Sequence, residues 1–364
     1  MSQIALATAA RYGPKLSENL AENMAVRSKS FDLAGLKSCF KGHPIIICGA
    51  GPTLNSAIPR IQKIQNKCQI VAVDMAGPCL TKAGIRVDVL CTLDVIDAKA
   101  DAIHASKARL LVPSTLAANA LIEAFDGPVA FAGTRVDSEL GHEPFIGDFE
   151  NVAHLALAVA EFTGAGDIYL CGVDFCVTED FTVYADNAIV SELQTKKYSE
   201  TPEGFIEVMC NDGRNRATWP STPAYIQSLE RQISIRAGDT FQSGFEAVKI
   251  VGADHKRPPA ELTTDRQPVP KLADIRAIDV DEIMMQAVSG LRLCHGFANA
   301  VDQDRPLPVE QRESQLLTCL RRLQPQIERE VNNLRKAGDI KLATALPYAG
   351  LIPLLNAFIS GLRK

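Results

Sequence analysis

Four apolar runs of this sequence stop on residues that can do chemistry. Pro44 to Cys48 stops on Gly49-Ala50-Gly51-Pro52-Thr53, Gln69 to Val73 on Asp74, Val87 to Leu93 on Asp94, and Ile168 to Cys171 on Gly172-Val173-Asp174. A short apolar run that feeds a helical pattern reads as a buried parallel strand. In an open parallel sheet such ends share one edge, which is where ligands bind. Gly49 and Gly51 let the backbone turn sharply and approach a ligand with no Cβ in the way. The free amides and positive dipole end of the helix that follows suit a phosphate. Pro52 fixes φ, and Thr53 can cap the helix or offer its hydroxyl. This reading predicts Gly49, Ala50, Gly51, Pro52, Thr53 and Gly172 as nucleotide-binding residues; the competing reading is that any α/β protein needs a strand-to-helix turn, which glycines supply. The spacing is Gly-x-Gly without a third glycine, and no Gly-Lys-Ser/Thr follows, so no Walker A loop is present.

Asp74, Asp94 and Asp174 are the carboxylates of that edge. Alone they would repel a phosphorylated ligand. With Mg²⁺ between them they would hold it, because Mg²⁺ takes oxygen ligands and bridges carboxylate to phosphate. They are therefore candidate metal ligands, and Asp97, one helical turn past Asp94, is a possible fourth. The competing reading is that an Asp after a strand caps the next helix. Asn151-Val152-Ala153-His154 opens a helix, and such an N-terminus can bind an anion or orient a hydroxyl. His154 joins Asp94 and Asp174 as a candidate catalytic residue, against the competing reading that a lone His in a helical pattern is structural, and Asn151 joins Asp74 as a candidate ligand contact. Ser114 and Thr115, which close the run from Ala108 to Val112, are candidates of the same kind. No Ser/His/Asp or Cys/His arrangement is evident, and Cys176 has no identifiable base beside it.

The elements that must position these residues alternate between strand-like and helical stretches. That alternation predicts an α/β fold: a Rossmann-like, mostly parallel sheet with helices on both faces, plus a C-terminal helical segment. Expected strands are 44–48, 69–73, 87–93, 108–112, 129–132, 168–171 and 247–251, and Pro59 is expected to restart the helix after the first. Residues 1–40 read as an N-terminal helical arm, 41–262 as the nucleotide-binding α/β domain, and 263–364 as a proline-marked linker and helical region. Within the domain, 178–222 is polar and reads as a lid-like insertion. Its aromatic residues Tyr184, Tyr198 and Trp219 either face a ligand or pin the loop. Leu316, Leu317, Leu320, Leu323 and Ile327 recur at helical spacing, which predicts a packing face against the core or a second copy of the chain.

Composition narrows the partners. The 364 residues are 46% hydrophobic and carry a net charge of −5. With no basic block, a nucleic-acid polymer is not expected as partner. The 10 cysteines include no Cys-x-x-Cys pair, and several lie inside apolar strands. That pattern fits a reducing, cytoplasmic compartment better than a disulfide framework. The amino terminus lacks a signal-peptide pattern, and Pro347 and Pro353 break the apolar closing segment, so no membrane span is expected.

Taken together, Lys41 to Leu54, Ile70 to Asp74, Lys82-Ala83-Gly84-Ile85-Arg86-Val87-Asp88 with Thr92-Leu93-Asp94, Asn151 to Ala160 and Ile168 to Asp174 resemble the 6-hydroxymethylpterin diphosphokinase MptE-like family. That family is shared with the core of the motility-associated-factor (Maf) flagellin glycosyltransferases. The resemblance spans about residues 40–260. Thr53 stands where the family has Ser, Val87 where it has Pro, and the His that commonly follows the Gly-x-Asp segment is absent from Phe175 to Asp186. The resemblance implies a nucleotide-dependent transferase. One branch transfers pyrophosphate from ATP with Mg²⁺ to a small hydroxyl or hydroxymethyl acceptor. The other uses a CMP-sugar, a sialic-acid-like nonulosonate, with flagellin or another glycan acceptor. A non-catalytic nucleotide-binding protein that kept the cradle and lost the base is the third expectation.

Overall fold

The computed structural model describes residues 3–27, 30–133, 146–189, 204–271, 283–289, 293–294, 316–317, 320, 327, 331, 335–336 and 340–363. Its centre is a seven-stranded parallel sheet. The strands are β1 (Ile45–Cys48), β2 (Gln69–Val73), β3 (Val87–Thr92), β4 (Ala108–Pro113), β5 (Ile168–Cys171), β8 (Thr240–Gln242) and β9 (Ala253–His255), in the order β4-β3-β2-β1-β5-β8-β9. A separate antiparallel hairpin pairs β6 (Ile206–Met209) with β7 (Asn215–Thr218). β1, β2, β3 and β5 are buried along their whole length. Such strands are covered on both faces, which is why they read as continuous apolar runs and not as alternation.

Connecting helices cover the sheet: α2 (Leu54–Ile64), α3 (Ala76–Lys82), α4 (Ala100–His104), α5 (Asn119–Glu123), α6 (Val152–Phe162) and α7 (Thr222–Ser234). α6 packs against β1, β2 and β3 and carries eight consecutive buried residues, Ala153 to Ala160. The Ala83-Gly84-Ile85 turn is a helix stop. Ile85 N–H donates to the Leu80 carbonyl and Gly84 N–H to that of Thr81, with Gly84 left-handed at φ 69. This is the Schellman arrangement, and it needs a residue that tolerates positive φ. Pro59 lies inside an unbroken α2 and does not restart it.

Two strand expectations change. Residues 129–132 make only isolated parallel bridges beside β4, Leu111 to Val129 and Ser114 to Ala132. Residues 247–251 are not a strand; Val248 makes one antiparallel bridge to Cys210. The strands in that region are β8 and β9, three residues each. They are too short to show a period, and their place is set by pairing on β5.

The amino-terminal helix α1 (Gln3–Arg27) packs against the carboxyl-terminal helix α8 (Ile340–Leu362). Leu16, Leu20, Met24, Leu354, Leu355 and Phe358 form a second apolar core, which Leu316, Leu317 and Leu320 enter. The leucine stripe is thus spent within the chain, with Ile327 half-buried and Leu323 outside the described residues. Asparagines on α1 tie this core to the sheet. Asn19 Nδ2 donates to the Val95 and Leu116 carbonyls, each at 3.0 Å, and Asn23 Nδ2 to those of Thr115 and Ala117, each at 2.8 Å. Replacing Asn23 with alanine strips both buried carbonyls of that donor and is expected to cost about 1–3 kcal/mol, read as a shifted urea midpoint at constant slope.

The proline-marked segment after β9 is a docked strap. Arg60 Nη1 donates to the Pro258 carbonyl at 2.7 Å, and Thr264 Oγ1 to that of Lys67 at 2.7 Å. Arg266 donates from Nη2 to Asp88 Oδ1 at 2.5 Å. Among the described residues no helix is long and apolar enough to cross a membrane.

Candidate functional site

β1 runs on to β2, β3 and β4 on one side, and the chain then returns to β5 on the other side of β1. The switch point lies between β1 and β5, and a cavity of about 360 Å³ opens there at the carboxyl edge. Its floor is Gly49-Ala50-Gly51 and Gly172-Val173-Asp174. Asp74 and Lys99 form one wall, Asn151 at the start of α6 another, and Tyr184, Trp219 and Tyr225 a third.

The two glycine turns are zipped together. Gly49 N–H donates to Cys171 O and Gly51 N–H to Gly172 O, both at 2.8 Å. A Cβ on Gly49 would lie 2.3 Å from the Gly172 oxygen, and one on Gly51 2.4 Å from Asp174 Oδ2. Gly172 is itself left-handed, at φ 68. These glycines therefore serve the approach of one turn to another and of a carboxylate, where the sequence had suggested room for a ligand.

That carboxylate occupies the start of α2. Thr53 N–H donates to Asp174 Oδ2 at 2.8 Å, and Thr53 Oγ1 donates to Oδ1. The Thr53 hydroxyl makes no bond to the helix it begins. Leu54 N–H and Asn55 N–H turn back to Gly51 and Pro52. The amides expected to cradle a phosphate are therefore engaged within the chain, and the dipole end faces the protein's own anion. Burial raises Asp174 to about 6, against the lowering effect of both Thr53 bonds. Its folded value lies above its unfolded one, so ionising Asp174 draws on stability as pH rises towards 6.

Lys99 is the residue that sequence reading missed. Its Nζ lies 3.0 Å from Asp74 Oδ1 and 2.9 Å from Asp94 Oδ2. Asp74 is fully buried and also accepts from Thr92 Oγ1 and Met75 N–H. Burial raises Asp74 above the usual carboxylate range, opposed by Lys99. Burial alone would lower Lys99, but Asp74 and Asp94 together hold it above the ordinary lysine value. A lysine five positions after Asp94, at the start of a short helix, carries no motif, so only the fold reveals the pairing.

This geometry bears on the expected Mg²⁺ site. Lys99 already joins Asp74 to Asp94, and Asp174 is turned onto Thr53. Asp97 is exposed. Among the described residues no three His, Cys, Asp or Glu side chains converge to hold a metal ion. Asp74, Asp94 and Asp174 do not form one cage, and they do not fit a single bridging cation.

The other candidates divide. Asn151 lines the cavity and caps α6, its Oδ1 accepting from Ala153 and His154 N–H. His154 is off the cavity and buried; its Nε2 lies 2.8 Å from the Tyr225 carbonyl, and its Nδ1 3.4 Å from Glu150 N–H. Those partners make Nε2 the donor and leave the ring neutral, and burial lowers its affinity for a proton. His154 therefore holds α7 against α6. Ser114 and Thr115 lie beyond β4, bonded to Leu116 N–H and Asn23, away from the cavity. Trp219 and Tyr184, left open by the sequence, are on its wall; Tyr198 lies outside the described residues.

With this geometry in place, the likeness to other proteins is informative. Residues 16–180 match the family described as 6-hydroxymethylpterin diphosphokinase MptE-like. Among solved structures, the Maf glycosyltransferase from Magnetospirillum magneticum AMB-1 is similar in fold, with a TM-score of 0.59 at 16% identity over 96% of this chain and 58% of that one. This chain thus spans little more than half the length of that neighbour. No curated protein matches the sequence.

Proposed function

Since residues 16–180 match the family described as 6-hydroxymethylpterin diphosphokinase MptE-like, we propose that this chain is a transferase that takes a nucleotide-activated donor in the cavity between β1 and β5. The observation that carries this reading is the cavity's position. It lies at the switch point of a parallel sheet, walled by aromatic rings on one side and by charged groups on the other. Trp219 and Tyr184 offer faces to a base or sugar ring. Asn151, whose Oδ1 is taken up by the cap, offers its side-chain amide N–H to ribose or sugar hydroxyls. Asp174, raised to about 6, is suited to take a proton from an attacking hydroxyl near neutral pH.

Between the two transfer chemistries, the arrangement of carboxylates favours transfer from a CMP-sugar. In that reaction the sugar–phosphate bond breaks, CMP leaves, and an acceptor hydroxyl forms the new bond. Such a step needs hydroxyl recognition and a base, which these residues can supply. Pyrophosphate transfer from ATP would ask for a gathered set of oxygen ligands for Mg²⁺, and Lys99 stands inside that set. The description of the family is what keeps the diphosphokinase reading in view.

Titration calorimetry with CMP and with ATP, each with and without Mg²⁺, separates the readings. CMP is expected to bind without metal. ATP binding that appears only with Mg²⁺ would overturn this choice in favour of the diphosphokinase. CMP binding with no turnover of any CMP-sugar would leave a binding protein.

A further inference from the structure

Cys176 and Cys210 have no part in the function proposed above. Both are buried thiols, and their Sγ atoms are 3.8 Å apart although 34 positions separate them. Cys176 follows the turn after β5 and lines the cavity. Cys210 lies at the tip of the β6–β7 hairpin, which meets the core through a small apolar cluster of Cys176, Cys210, Ile226 and Val248 and through hydrogen bonds. Val177 N–H donates to Ala217 O at 3.0 Å, Thr218 Oγ1 to Phe175 O at 2.6 Å, and Asn211 Nδ2 to Gly244 O at 2.9 Å. The hairpin leads directly into Trp219, which is on the cavity wall and is the chain's single tryptophan.

The surroundings of the two sulfurs differ from those of the other cysteines. The hydrogen bond with Cys176 draws the Cys210 thiol down to about 7 against the effect of burial, and Arg216 adds to the lowering. Arg216 is held in place by a paired contact with Asp212, at 2.8 and 2.6 Å. By contrast, burial pushes Cys39 and Cys79 up to about 11 and Cys68 and Cys171 up to about 12. A thiolate is the reactive form of cysteine, and the same hydrogen bond, with burial, pushes Cys176 well up, so reactivity concentrates at Cys210 with Cys176 as its neutral partner.

We propose that Cys176 and Cys210 form a dithiol modification site that a hydroperoxide converts into a disulfide, fastening the hairpin to the cavity wall. The peroxide enters through the cavity that Cys176 lines. The Cys210 sulfur attacks one peroxide oxygen; an S–O bond forms, the O–O bond breaks, and hydroxide (or the alkoxide) leaves and takes up a proton. The Cys176 sulfur then displaces the hydroxyl of the sulfenic acid, the S–S bond forms, and water leaves with the Cys176 proton. The pair loses two electrons and the peroxide gains them. The linked state fixes the loop that carries Trp219 against the turn after β5 that carries Gly172 and Asp174.

The test treats the full chain with hydrogen peroxide, alkylates the remaining thiols and maps the peptides. The expected product is one link between the peptides of Cys176 and Cys210, reversed by a dithiol reductant and absent from both C176S and C210S. Trp219 emission should shift on oxidation of the wild type and stay constant in C210S. The proposal fails if both cysteines still alkylate fully after peroxide, or if either goes to the sulfinic acid with no link formed. Unchanged Trp219 emission in a chain shown to be linked would overturn the fastening of the wall. The wild-type map decides the chemistry even if a serine variant fails to fold.

Discussion

Replacing Lys99 with methionine is expected to cost the fold about 3–5 kcal/mol at neutral pH, because it leaves a buried carboxylate with no cation. Asp74 keeps Thr92 Oγ1 and Met75 N–H, but both are neutral donors. Burial already raises Asp74, and Lys99 is the main opposing influence. Without it, the folded chain holds the Asp74 proton more tightly than the unfolded chain does. A carboxyl raised in the folded state makes stability fall as pH rises. The penalty is therefore expected to be largest at pH 7 and above. It should fade as the pH approaches the unfolded carboxylate value, near ~4. Urea midpoints of wild type and K99M between pH 4.5 and 8 check this. Parallel curves, equally spaced at every pH, would show that Lys99 acts through its packing and not through its charge. The same variant should lose its calorimetric response to CMP, because Lys99 lines the cavity.

Replacing Arg266 with methionine is expected to cost a similar amount, about 3–5 kcal/mol, while leaving affinity for CMP unchanged in the folded protein. Asp88 is fully buried at the start of β3, where its Oδ2 accepts from Ile70 N–H at 2.9 Å. Its Oδ1 faces Arg266 Nε and Nη2 at 3.1 and 2.5 Å. The same guanidinium donates to the Gln65 and Arg86 carbonyls, at 3.1 and 3.0 Å. Removing it strands one buried charge and two carbonyls and leaves the strap to the Arg60 and Thr264 bonds. Asp88 opens β3, whereas the cavity lies beyond the strands' carboxyl ends, so the damage is to the fold and not to the site. A double mutant with Asp88→Asn should recover part of the loss, since a neutral amide needs no cation. Loss of CMP binding in folded R266M would show that the strap reaches the site after all.

These two lysine and arginine contacts mark how far the sequence could be read. The strand ends were legible because a fully buried parallel strand is apolar throughout, and the first charged or glycine residue ends it. Gly49, Asp74, Gly172 and Asp174 accordingly line the cavity as a strand-end argument expects. The helix stop at Gly84 was equally local, since one left-handed residue closes two hydrogen bonds within five positions.

Partnership across the fold was not legible. Lys99 and Asp74 are 25 positions apart, Thr53 and Asp174 are 121, and Arg266 and Asp88 are 178. Nothing in local spacing tells a carboxylate that will meet a cation from one that will meet a metal or cap a helix. Likewise, a Gly-x-Gly turn has the same sequence whether the missing Cβ admits a phosphate or the neighbouring strand's carboxylate. The chain's own residues determined that there would be a parallel sheet with a chemical edge. Which charge faces which was decided only by the tertiary fold, because burial strips water from those groups and leaves each to whatever partner the fold brings beside it.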